Sequence, residues 1–193
     1  MPTPYDGKIG LWHVYGGMIG ENSIAEICAT IKQYAPAVDA LYVKISDGVE
    51  WMGTYEEKPD LAINSPEDID RWVTVLNQHG LEFHAWALPK GLDPEREGNL
   101  IAAACARQGV RSLIMDVEGG PGFFRGGRGA VRPLMTTIKR ALGNQFHIGL
   151  SIDPRPNHYA EIFPDEWLPF VGSVSAGVLG RVQHHARCRA EIG

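Results

Sequence analysis

The sequence predicts a parallel α/β fold of the TIM (β/α)8-barrel type, incomplete, with about five to six βα units. Three observations carry that expectation. Short apolar runs bounded by turn residues alternate with segments of helical period along most of the chain, which is the pattern of repeated βα units. The helix-start signals Ser65-Pro66-Glu67-Asp68 and Asp93-Pro94-Glu95 recur at the regular beat such units need. The 193 residues suffice for one domain with a buried core but fall short of the about 250 usual for a closed barrel of about eight strands.

Ile9 to Tyr15 reads as the first strand, and Ile24, Ile27, Ile31 and Tyr34 then mark one face of a helix closed by Pro36. The second strand is Ala40 to Ser46, turning at Asp47-Gly48, after which a loop from Val49 to Asn64 carries Trp51 and Tyr55. That loop is long for a strand-to-helix connection, where about 2 to 6 residues are usual. Ser65 offers an N-cap oxygen, Pro66 suits the first helical position, and Glu67 and Asp68 favour the positive end of the helix dipole. A helix therefore runs to about His79 and stops at Gly80.

Next come a strand from Leu81 to Leu88, a helix from Pro94 to about Gln108, and a strand from Ser112 to Glu118. A glycine-rich loop surrounds Phe123 and Phe124, Val131 to Leu142 reads as helix with Pro133 near its first turn, and Phe146 to Ile152 is the fifth strand. Asp153-Pro154-Arg155-Pro156 reads as loop, Asp165 to Phe170 as a last helical stretch, and Val171 to Leu179 as the start of a sixth strand. The terminal GRVQHHARCRAEIG has no clear period. Residues 1–171 are thus read as a partial barrel and 172–193 as an irregular tail, with a truncation or altered reading frame expected near Gly172.

Composition narrows the function classes. With 44% hydrophobic and 21% charged residues the chain is of ordinary globular type. A net charge of -5 with scattered Lys and Arg supplies no basic stripe, which argues against a nucleic-acid partner. Cys28, Cys105 and Cys188 are odd in number and lack metal-ligand spacing, so reduced core thiols are expected. MPTPYDGKIG has no apolar h-region, and no stretch reaches the roughly 18 apolar residues of a membrane span. No membrane partner is expected, and as written the chain reads as cytoplasmic.

Barrels of this type keep their chemistry at the carboxyl ends of the strands. Along Ser112 to Glu118 alternation places Ile114, Asp116 and Glu118 on one face, so both acids point into the barrel mouth. Two carboxylates one strand step apart repel, and the less solvated one holds a proton near neutral pH. Glu118, at the tip, is the expected general acid, and Asp116 is expected to tune it or bind a sugar hydroxyl. Lys44 shares its strand face with Tyr42 and Ser46 and needs a carboxylate partner, Asp116 being the obvious one across the barrel. His84 and Trp86 share a face of the third strand, as do His147, Ser151 and Asp153 of the fifth. Lys44, Asp47, Trp51, His84, Trp86 and Asp153 are the expected substrate contacts, the two tryptophans because flat rings with a polar edge suit sugar faces.

These residues carry a resemblance. ALYVKISDG, GLEFHAWALP and SLIMDVEGG are similar to the corresponding strands of glycoside hydrolase family 25, the lysozyme-like muramidases, within a glycosidase-like barrel superfamily, over residues 8–155. The resemblance implies that Glu118 matches the family's catalytic acid and Asp116 its partner in the DxE motif. The family's first-strand acid has no counterpart in Gly10-Leu11-Trp12-His13-Val14-Tyr15, nor do its distal strands. The expected function is glycoside hydrolysis on a polysaccharide or peptidoglycan-type substrate without a cofactor, with self-association through an uncovered sheet edge. The alternatives are a non-catalytic carbohydrate- or cell-wall-binding barrel, and a metal-dependent hydrolase using His13, His84, Asp116 and Glu118, which no HxH or HExxH spacing supports.

Overall fold

The structure, a computed structural model, describes residues 2–176. Six parallel strands form one sheet in the order β1 (Gly10–His13), β2 (Ala40–Asp47), β4 (Glu82–Leu88), β5 (Val110–Val117), β6 (Ile148–Ile152) and β7 (Ser173–Ala176). A two-residue strand, β3 (Glu50–Trp51), pairs antiparallel with the end of β2. The connections carry α1 (Ile24–Tyr34), α2 (Pro66–Gln78), α3 (Pro94–Cys105), α4 (Arg128–Leu142) and the short α5 (Pro156–Glu161) and α6 (Pro164–Trp167). The sheet curls into an incomplete α/β barrel, as the alternating pattern predicts. None of the described helices is long and apolar enough to cross a membrane.

Alternation along the strands builds two apolar layers of unequal size. The larger lies between sheet and helices, where Val43, Ile45, Phe83, Leu113, Met115 and Val117 meet Ile31, Trp72, Leu76, Ile101 and Leu134. Cys28 and Cys105 are buried free thiols within it. The smaller covers the inner face: Ala40, Tyr42, Trp86, Leu88 and Ile114, with Tyr5, Trp12, Val14 and Phe123 packed on it.

Several sequence boundaries shift for identifiable reasons. Ser23 caps α1, accepting from the Glu26 amide at 3.2 Å, and Asp93 caps α3, accepting from the Arg96 amide at 3.2 Å. Ser65 makes no such bond, and Asp68 instead reaches back to the Asn64 amide at 2.8 Å. The fourth helix begins at Arg128 rather than Val131, so Pro133 sits inside it. The turn it interrupts begins at the exposed Gly129, whose carbonyl water can serve. Pro156 starts α5 where the sequence reads as loop, because proline fits the first helical position. The sixth strand joins the sheet as Ser173–Ala176, inside the segment assigned to the tail. The remainder of that segment, with Cys188, lies outside the described residues.

Candidate active site

β5 carries the central pair. Leu113, Met115 and Val117 face the helices, so Ile114 and Asp116 face inward and Glu118 follows at the strand tip. Asp116 is 3% exposed and its Oδ1 is buried without a hydrogen-bond partner. Burial pushes its carboxyl up to about 7, the charge of Glu118 adds to the rise, and the Ser151 hydroxyl and Lys44 pull the other way. Asp116 is therefore the less solvated member that holds the proton, while Glu118 is half-buried. From α5, Glu161 approaches so closely that a Cβ on Gly119 would clash with its carboxylate.

The β2 end departs from simple alternation. Lys44 is level with Trp86, but Ser46, not Ile45, is level with Ala87, so one residue bulges out of register. Beyond the bulge Asp47 comes level with Leu88, on the inner face, and Ser46 is level with Ala87 on the helix side. Lys44 and Asp47 therefore meet at 2.8 Å, and this ion pair replaces the one expected between Lys44 and Asp116. Lys44 lies over the Trp86 ring, 5.2 Å from its centroid. Burial opposes ionisation of Asp47, but hydrogen bonds from Lys44 and Lys90 outweigh it and hold the carboxyl below its usual range.

Trp86 occupies the inner face as expected, edge-on to Trp12 at 5.3 Å and donating its indole N–H to the His13 carbonyl at 3.1 Å. Trp51 does not join it. It pairs with Ser46 and packs, half-buried, against the helix-side core. Trp51→Ala should accordingly cost about 2 to 3 kcal/mol of stability, somewhat less than a fully buried Trp, and leave oligosaccharide affinity unchanged. Thermal melts and a binding titration on that variant check both halves. The long loop behind it is tied down by Glu56, whose carboxylate accepts from the Gly16 and Lys58 amides, and by Lys58, which donates to the Ile19 and Glu21 carbonyls.

His84 lies at the opposite end of the inner face. Its Nδ1 is 2.7 Å from the hydroxyl of Ser112, four residues before Asp116, about 13 Å along the strand. Burial pushes its imidazole down to about 4, so it is neutral. Tyr5 plugs this end, with ring centroids 5.5 Å from His84 and 5.2 Å from His147. His13 points to the helix side, 5.2 Å from Trp72. The four-residue metal site of the third alternative therefore does not assemble, and among the described residues no group of three His, Cys, Asp or Glu side chains has ligand geometry. Asp153 is at the β6 end, where its hydrogen bonds to Arg155 hold it at about 2.

Two further residues at the mouth escaped sequence reasoning. Glu97, wholly buried in α3, accepts from four successive amides: Lys90 at 2.8 Å, Gly91 at 3.0 Å, Leu92 at 3.0 Å and Asp93 at 3.3 Å. Lys90, just past β4, places its ammonium 2.6 Å from Asp47. A surface cleft of about 710 Å³ lies away from these groups, between α2 and the start of β5, and its Arg107 is already paired with Asp70. It sits at the amino end of the strands, where this architecture keeps no chemistry.

No protein-family model matches the sequence, and no curated protein is significantly similar to it. Among solved structures the fold is similar to hydroxymethylglutaryl-CoA lyase from Pseudomonas aeruginosa, with a TM-score of 0.57 at 12% identity over 90% of this chain. The chain spans 54% of that protein's length. The likeness is one of fold, a (β/α)-barrel architecture with helices outside a parallel sheet.

Proposed function

We propose that this barrel hydrolyses a polysaccharide or peptidoglycan-type substrate by general acid catalysis at the Asp116–Glu118 pair. The observation that carries the reading is Asp116 itself, buried at a strand's carboxyl end with its carboxyl pushed up to about 7 beside a second acid. Such a pair holds one proton between its members at neutral pH. The proton rests on Asp116; Glu118, nearer the solvent, takes it over and delivers it to the glycosidic oxygen, which leaves the charge on Asp116 beside the Ser151 hydroxyl and Lys44. The same roles are what the resemblance of three strands to glycoside hydrolase family 25 implies, a resemblance that no family model supports.

Glu118→Gln should reduce hydrolysis of labelled cell wall by ~10²-fold or more while leaving the fold intact, since it removes a titratable proton at nearly constant shape. Retention of more than about a tenth of the rate would remove Glu118 as the acid. The second reading is a non-catalytic cell-wall-binding barrel; the closed inner face, where Trp86 is only 4% exposed, speaks against substrate access to the acid pair. Wild-type protein that sediments with cell wall yet releases no reducing ends would establish it over the first.

A further inference from the structure

We propose that Lys90 is the positioning residue that straps the glycine-rich loop 119–127 across the barrel mouth, and that ligands reach Asp116 only when the strap releases. The identity of the ligand rests on the proposed function; the strap does not.

One residue joins three segments. The Lys90 ammonium pairs with Asp47 at the β2 end and donates to the Gly122 carbonyl in the middle of the loop. Its own carbonyl accepts from the Arg125 and Gly126 amides at 2.8 and 3.0 Å. Its backbone is fixed in turn by the buried Glu97 carboxylate, which takes the Lys90 amide and the three that follow. Lys90 therefore has little freedom to swing away from its seat.

The loop it holds is built to move as a flap. Gly120, Gly122 and Gly127 have φ of +105, +87 and +68, a region that other residues enter at a cost. Between them Phe123 packs on the inner-face cluster, while Phe124 anchors on the helix side, 5.3 Å from Trp167. Phe123 thus packs on the same inner face as Asp116. On that face Asp116 keeps a buried oxygen with no partner, an arrangement costly in a finished core and ordinary in a site that awaits a ligand. Release of Gly122 leaves the Lys90 ammonium still paired with Asp47, so the flap can lift without stranding a buried charge.

Carbodiimide coupling of glycinamide to carboxyl groups, followed by peptide mass spectrometry, reads access to Asp116 without any substrate. Lys90→Met should label Asp116 about ten-fold faster than wild type or more, because one charge-assisted hydrogen bond shifts a closing equilibrium by that much. Lys90→Arg should restore the slow rate, Phe123→Ala should raise it as Lys90→Met does, and the exposed Glu67 should label equally in all. Unchanged labelling of Asp116 in Lys90→Met or Phe123→Ala, or failure of Lys90→Arg to restore it, overturns the proposal. Should Lys90→Met fail to fold, Phe123→Ala decides alone. A chain that gates Asp116 yet hydrolyses no cell wall would strike the catalytic reading and leave the strap standing, and hydrolysis with ungated labelling would do the reverse.

Discussion

Asp116→Asn should stabilise the fold by about 3 to 4 kcal/mol at pH 9 and by little at pH 4. Burial pushes the carboxyl up to about 7 in the fold from an ordinary value of 3.8, so between those values the folded state binds the extra proton. The stability that Asp116 allows is fully present below 3.8, falls as pH rises from there through about 7, and is flat above. Asparagine keeps the shape and never ionises, so it escapes that loss. Denaturant melts of both proteins at the two pH values test this, and parallel stability curves would show that Asp116 is not protonated by its surroundings.

Glu97→Ala should cost about 4 kcal/mol or more, enough to unfold a marginal domain. Four amides lose their acceptor at once, and a buried amide left unsatisfied costs about 1 to 3 kcal/mol. Water can reach Leu92, which is 63% exposed, and so spares part of the loss, while the buried Gly91 has no such recourse. Glu97→Gln keeps one acceptor oxygen and should cost about half as much. Urea titrations give both values. A loss below about 1 kcal/mol for the alanine variant would mean that the four bonds are individually replaceable by water.

What the sequence made legible is what period alone determines. Hydrophobic alternation placed Asp116 and Glu118 at the inner end of β5, because that strand runs in register with β6 from Leu113 to Val117. The same rule misled at β2, where a bulge around Ile45 leaves no mark in composition: Ile45 is an ordinary buried apolar residue on either side of a register shift. Ser46 turned to the helix side as a result, Asp47, read at the turn, joined the inner face, and Lys44 found its partner three residues away in its own strand. His13 was misassigned for a different reason. Trp12 and His13 are adjacent in one strand, so only one could face inward, and the packing of Trp12 on Tyr42 and Trp86 decided which.

Glu97 had a signal that went unread, an acid four residues after the cap Asp93 at a buried position of the helix. The proton's place on Asp116 rather than Glu118 depended on burial depth, which strand alternation cannot give. Tyr5 had no signal at all, since nothing in a single aromatic near the amino terminus tells which distant strands will surround it.

That placement of Tyr5 bears on the order in which the chain folds. Its wall is made by Tyr42 of β2, His84 of β4 and His147 immediately before β6, segments that the chain supplies one after another. Tyr5 precedes all of these segments in the chain, yet its seat is finished only when the most distant of them has joined the sheet. Loop closure over such a span comes late and slowly compared with the neighbouring pairings that build the sheet. The segment around Tyr5 is therefore among the last to settle although it is made before the strands that hold it, and its docking reports that those strands have assembled.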